Sequence, residues 1–362
     1  MISFQPTEEE LLTQSLMRSL AVEIIRPATL ATDRDSAISQ AVLEQIWQTG
    51  PVEALLTPST DPEPRSRVLS CIIYEELGWG DTATALAVAA TMGFAQAIID
   101  YGSVAQKESL RQSFAGERFR PGVVLVQEAG FGFDIASMAT RVESTGDGYR
   151  LEGAKSFVPF GGHCQQMLVV ARSGEGLDAF IVPVSAQGVE IAEPRGTLGL
   201  KSLQLTDVTF NNVLLPCSAR LGENVRADIH ALLASARVAI SSILTGVARA
   251  VFEHITPYTQ ERVAHGSALA KKQSVAFRLA DMFIDIPSMR WLCWQAAAAL
   301  AKGRRASREA RLAQLHCADR AVWIADEGVQ LMGGHGYMRA NPVERWYRDA
   351  RTLSVLEGVA GV

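Results

Sequence analysis

The stretch from Trp346 to Val362, WYRDARTLSVLEGVAGV, holds a single carboxylate among its last dozen residues, Glu357, in an otherwise apolar run. A carboxylate withdrawn from water needs a partner or a chemical task, and the task within its reach is proton transfer. A second signal is the uneven spread of charge. From residue 255 onward there are 15 Lys and Arg against 10 Asp and Glu, whereas the first 254 residues carry 19 against 29. Such a basic portion points to a phosphate-bearing ligand or, equally on charge alone, to an exposed helix face rich in arginine.

Composition bounds the fold that must position these groups. The 362 residues, 48% apolar with mean hydropathy +0.10, suffice for two or three structural units with substantial cores. The net charge of −5 offers no general attraction for nucleic acid. No run reads as long enough to span a membrane, and the opening MISFQPTEEELLTQ lacks the basic and apolar regions of a secretory signal. The five cysteines (Cys71, Cys164, Cys217, Cys293, Cys317) are scattered and odd in number, without C-x-x-C spacing. This argues for reduced thiols, a cytoplasmic location and no zinc or other metal site.

The elements change character twice. Residues 1–118 read as helical: PTEEELLTQSLMRSLAVEIIRP opens on a Thr7/Glu10 capping box and is expected to stop at Pro27. Two Ala-rich, buried helices follow, after a proline-containing loop TPSTDPEPRS. Residues 119–222 read as a β-domain: a short run PGVVLVQEA, a hairpin turning at Asp147-Gly148, and three more strands in QQMLVVARS, LDAFIVPV and SLQLTDVTFNNVLLP. Residues 223–362 return to long helices. Pro287 is expected to kink or split the second of them, Ser307 to cap the third, and Gly333-Gly334 to end it. The fold expected is α+β: an N-terminal helical domain, a middle β-barrel-like domain and a C-terminal four-helix-bundle-like domain.

Four segments carry a resemblance. QEAGFGFDIASM (127–138) is similar to a Thr-Glu-Pro-Gly-Ala-Gly-Ser-Asp motif, and YRLEGAKSFVPFGG (149–162) to Gly-x-Lys-x-Trp-Ile-Thr-Asn. QERVAHGSALAKKQSVAFRLADM resembles a Glu-Arg…Phe-Gly…Gln…Leu-Ala-x-Met helix pair, and VQLMGGHGYMRANPVERWYRDAR a Gln-x-x-Gly-Gly-x-Gly-Tyr…Arg-Asp-Ala run. Together, in this order and over nearly the whole chain, they resemble the acyl-CoA dehydrogenase flavoprotein family.

The resemblance implies FAD as cofactor and an acyl thioester, on CoA or an acyl-carrier protein, as substrate. Glu357 falls on the family's base, which removes the α-proton while the β-hydrogen leaves as hydride to flavin N5. Thioester oxygen charge is then met by donors that include the base's own backbone N–H. Gly358 allows the sharp turn beside the ligand, Arg237 matches an arginine directed at the CoA moiety, and Leu356 and Phe160 are expected to border the pocket. Gln127, Phe133, Phe157 and Pro159 fall on flavin-contacting positions of the same subunit. Arg262, Gln273, Gln330, Gly333 and Gly334 match residues that reach the FAD of a neighbouring subunit, so a homodimer or homotetramer is implied. An electron-transferring flavoprotein is implied as redox partner.

The departures lie in the β-domain and the tail. Gln127 replaces a threonine, Phe133 a serine and Pro159 the hydroxyl residue beside flavin N5; Val359 follows Glu-Gly where a hydroxyl is usual, and TPSTDPEPRS replaces a Gly-Gly before the third helix. The leading expectation is FAD-dependent α,β-dehydrogenation of an acyl thioester. The alternative is a flavin-poor, weakly active or inactive subunit supporting an active homologue in a mixed oligomer. Flavin-dependent oxygenation on this fold has no need of the base, so Glu357 counts against it.

Overall fold

A computed structural model describes residues 5–50, 66–114, 116, 118–130, 133–160, 163–174 and 176–362. Most of the loop expected at 57–66 lies outside them. Helix α1 (Glu8–Leu20) starts on the expected box: Thr7 Oγ1 accepts from the Glu10 N–H at 3.2 Å, and Glu10 Oε2 accepts from the Thr7 N–H at 2.8 Å. Pro27 does not stop this helix. A π-helical turn, Ala21–Ile25, links α1 to α2 (Arg26–Asp35), and Pro27 falls in the first turn of α2. The π-helical turn passes the Arg26 N–H to the Ala21 carbonyl, and Pro27, which has no N–H of its own to place, follows directly after it. The unit continues with α3 (Gln40–Trp47), α4 (Arg67–Gly80), α5 (Thr82–Tyr101) and α6 (Val104–Phe114).

The middle of the chain forms the expected β-domain. Strands β1 (Val123–Leu125), β2 (Arg141–Thr145), β3 (Gly148–Val158), β4 (Gln166–Ser173), β5 (Gly176–Pro183), β6 (Val189–Ile191) and β7 (Thr206–Pro216) make one sheet in the order β1-β4-β2-β3-β7-β6, with β5 paired to β4. The three-residue β6 is too short for its alternation to be seen in sequence. The β2–β3 hairpin pairs Thr145 with Gly148, so its turn is Gly146-Asp147, one residue earlier than expected. β1 runs parallel to β4 with Val123 opposite Met167, and it packs against α5.

After the sheet come α7 (Ile229–Glu261), a small β8–β9 hairpin (Val263–Ala264, Ser267–Ala268), α8 (Gln273–Ala301), α9 (Ser307–Met332), α10 (Gly334–Tyr337) and α11 (Val343–Leu353). Pro287 neither splits nor ends α8, which runs through it. Ser307 is the first residue of α9 and Ala306 its N-cap, without a side-chain hydrogen bond. Helices α5 and α7 are in fact long and apolar enough to cross a membrane, contrary to the sequence reading, but most of each is packed inside the protein as core.

The two helical units share that core. Glu75 and Glu76 of α4 are buried and bonded to Arg290 of α8 (2.8 Å), Arg249 of α7 (2.6–2.9 Å) and Arg18 of α1 (2.7 Å). Burial alone would raise the Glu75 carboxyl, but Arg290 and Arg249 outweigh it and hold it below the usual range. Buried charge is tolerated here because each carboxylate has its guanidinium.

Candidate active site

The apolar tail is apolar because it is buried. Leu356, Val359, Ala360 and Val362 lie in the core, and the main chain of the last residues is bonded on several sides. Tyr74 of α4 donates to the Gly361 carbonyl at 2.7 Å, the Gly361 N–H donates to the Ala89 carbonyl of α5 at 3.3 Å, and the Val362 N–H donates to Ser235 Oγ of α7 at 2.8 Å. Gly358 has φ +73° and lies so close to the sheet that an added Cβ would sit 2.5 Å from the Val126 side chain. Both the left-handed backbone and the lack of room require glycine there.

This clamp fixes Glu357 between three elements. Its carboxylate is mostly covered, with the side chain 16% exposed. Arg237 Nε of α7 donates to Oε1 at 2.8 Å, and Gln314 Nε2 of α9 donates to Oε2 at 3.4 Å. Arg311 Nη1 stands 3.7 Å from Oε2. The backbone N–H of Glu357 donates to Gln127 Oε1 at 3.1 Å. Arg237 therefore meets the carboxylate itself. Gln314 and Arg311 were not singled out from sequence; a glutamine among the apolar positions of α9, with an arginine three residues before it, was the available signal.

A cavity of about 510 Å³ opens beside this group, between α5, α7 and the α8–α9 turn. Val126, Gly358 and Ala360 line it at the tail, and Arg304, Arg305 and His230 are also in its wall. Lys302, Arg304, Arg305 and Arg308 are exposed, and among the described residues none is paired with a carboxylate. The local surplus of positive charge suits an anionic ligand.

Lys155, also missed from sequence, braces the sheet side. It is fully buried; its ammonium donates to the Val126 carbonyl and to Glu128, both at 3.0 Å. Burial pushes it down to about 8, with Glu128 opposing. The Ser156 N–H donates to the Gln127 carbonyl at 2.9 Å, so the end of β1 is tied to β3 twice.

The other expected residues fall in several places. Phe157 has φ +56° and is half-buried, with the Arg195 guanidinium 5.0 Å from its ring centre. Pro159 and Leu356 are buried, and Phe133 is half-buried against a core cluster that includes Phe94. Phe160 faces a different cavity of about 410 Å³, beside Arg118 and Arg120. Arg262, Gln330, Gly333 and Gly334 come together in another hollow of about 550 Å³ with Tyr258 and His335, while Gln273 sits exposed at the start of α8 and is not in its wall. None of these four lines the cavity next to Glu357.

An FAD fits this distribution. At the hollow, positions where a Cβ would stand on Gly333 and Gly334 have no atom within 4 Å, which leaves an open cradle beside the Arg262 guanidinium for a diphosphate. At the sheet, Pro159 has no N–H to give. The hollow is thus better provided with polar groups than the Pro159 position. Among the described residues no three His, Cys, Asp or Glu side chains form a metal-binding group.

Comparisons with known proteins agree with this architecture. Three family models match in order: "Acyl-CoA dehydrogenase, N-terminal domain" over residues 7–117, the middle domain over 124–213 and the C-terminal domain over 226–362. The short/branched chain specific acyl-CoA dehydrogenase of Bos taurus is 27% identical, with 98% of this chain and 84% of that protein covered. Cyclohexane-1-carbonyl-CoA dehydrogenase of Geobacter metallireducens is also 27% identical, over 98% and 95%. The structure of butyryl-CoA dehydrogenase from Megasphaera elsdenii superposes with TM-score 0.87 at 26% identity, covering 98% of this chain and 95% of that one. The chain belongs to the acyl-CoA dehydrogenase family.

Proposed function

We propose that this protein catalyses the FAD-dependent α,β-dehydrogenation of an acyl thioester, with Glu357 as the base that takes the α-proton. The enzyme is an oxidoreductase of the acyl-CoA dehydrogenase class, and FAD is its cofactor. The observation that carries the reading is the position of Glu357. It adjoins the residue that lines the inner wall of a cavity of about 510 Å³, whose wall elsewhere carries Arg304 and Arg305. A thioester with its acyl chain at the tail and its phosphates toward these cations has each end matched by the protein.

The α-C–H of a thioester is weakly acidic, and a carboxylate with little water around it is the group suited to remove its proton. Arg237 and Gln314 orient that carboxylate, and the Glu357 N–H, which donates to Gln127 Oε1 in this structure, is the donor proposed for the thioester oxygen as negative charge develops on it. FAD would be held by Arg262, Gln330, Gly333 and Gly334 and would supply the acceptor for the β-hydrogen.

Those dinucleotide-binding residues lie apart from the cavity, so the reading includes a second copy of the chain that completes each flavin site. Phe277, Phe283, Ile284 and Trp291 of α8 are 49–66% exposed, an apolar face of the kind a second bundle covers. An electron-transferring flavoprotein is the proposed acceptor of the electrons. The absence of a donor at Pro159 favours a second reading, a flavin-poor subunit of a mixed oligomer. The visible spectrum of the purified protein separates the two. A yellow sample bleached anaerobically by butyryl-CoA supports the enzyme; a colourless sample that stays colourless with added FAD supports the subunit.

A further inference from the structure

From the contacts of Gln127 we infer that its side chain is an internal stand-in for the substrate carbonyl, which leaves the Glu357 N–H when a thioester enters. The inference rests on the thioester reading above. The main chain of Gln127 is immobilised by the Ser156 N–H on its carbonyl and by Lys155 on the preceding one. Its side chain then reaches the tail and makes two bonds there: Oε1 accepts from the Glu357 N–H at 3.1 Å, and Nε2 donates to the Val355 carbonyl at 3.4 Å. The carboxamide thus bridges a C=O and an N–H two residues apart, as a peptide unit of a neighbouring strand would.

Among the described residues no other acceptor is bonded to that N–H. The donor belongs to the residue whose carboxylate Arg237 holds, and the next residue, Gly358, lines the cavity. A carbonyl bonded there would bring its α-carbon to the carboxylate. An amide oxygen in the same place occupies it with the same chemistry and holds the tail in its working conformation while the site is empty. A thioester must displace Oε1 to use the donor, whereas a ligand without a carbonyl need not. Gln127 therefore sets how strongly the site favours a carbonyl-bearing ligand. It is a positioning and specificity residue that never meets the reacting carbon.

The test uses two ligands differing only in the carbonyl, but-2-enoyl-CoA and its thioether analogue S-(but-2-enyl)-CoA; the first is already unsaturated and does not turn over. Both are titrated by calorimetry into FAD-loaded wild type, Gln127→Met and Gln127→Thr. The methionine keeps the length without polar atoms, and the threonine is too short to reach the tail. Both variants are expected to bind the thioester roughly 3–10-fold more tightly than wild type, the worth of one displaced hydrogen bond, with thioether affinity unchanged. A thioester-to-thioether ratio equal to that of wild type, or equal weakening of both ligands, overturns the inference. Failure of every form to bind the thioester while still binding FAD removes the underlying reading, and the inference with it.

Discussion

Arg237 and Glu357, 120 residues apart in the chain, meet at 2.8 Å between Nε and Oε1 where α7 passes the buried tail. The contact makes Arg237 the residue that orients the proposed base. Replacing it by alanine leaves the carboxylate with Gln314 and the more distant Arg311, and a misplacement of about 1 Å costs roughly 10²-fold in rate. Arg237→Ala is expected to lower kcat by about 10–100-fold with flavin content unchanged, and Arg237→Lys to recover part of it. Steady-state dye reduction with butyryl-CoA checks this. A rise in KM with kcat intact would instead make Arg237 a ligand of the CoA moiety.

The hollow containing Arg262 predicts a link between flavin and assembly. A ligand bound only by the assembled form stabilises that form by mass action. Sedimentation at several concentrations should show FAD shifting the protein toward oligomer, and Arg262→Ala weakening both flavin binding and association. A monomer that keeps its FAD on dilution would exclude a shared site.

Pro159 predicts loosely held flavin. Restoring a hydroxyl and a backbone N–H with Pro159→Thr adds polar contacts of about 0.5–1.5 kcal/mol each. Repeated gel filtration of FAD-loaded protein should strip flavin from the wild type and leave more on the variant. Complete retention by the wild type would mean that the contacts at Gly333 and Gly334 suffice.

Much of this was legible in the sequence because it is periodic or local. The capping box at Thr7, the alternation of β7 and the long apolar helices are such features. Pro27 and Pro287 misled because a proline's effect depends on what surrounds it: a π-turn precedes the first, and tertiary packing carries the second. The site was harder to see. Glu357 stood out by its apolar neighbours, but Arg237, Gln314 and Gln127 reach it from three other elements, and only the fold brings them together. The buried Lys155–Glu128 pair is likewise non-local, its members 27 residues apart.

Asp349 gives a pH dependence. Its carboxyl is buried near Asp81 and is pushed up to about 7, while Oδ1 accepts from the Leu200 N–H at 2.7 Å. Because the folded state holds the proton more tightly than the unfolded chain, this group's contribution is fully present below about pH 4 and is lost as pH rises through about 7. Thermal melts between pH 5 and 8 should fall more steeply for wild type than for Asp349→Asn, which keeps the acceptor without the charge. Parallel curves would assign the pH dependence to other groups.

Removal of the α-proton by Glu357 is read in the anaerobic rate at which butyryl-CoA bleaches the flavin of wild type and Glu357→Gln. The glutamine is nearly isosteric and can keep the Arg237 contact through its oxygen, so equal flavin content in both proteins is expected. A bleaching rate about 10²–10⁴-fold lower is expected in the variant, the usual worth of a positioned base. A variant that bleaches at the wild-type rate would contradict a role for Glu357 as that base.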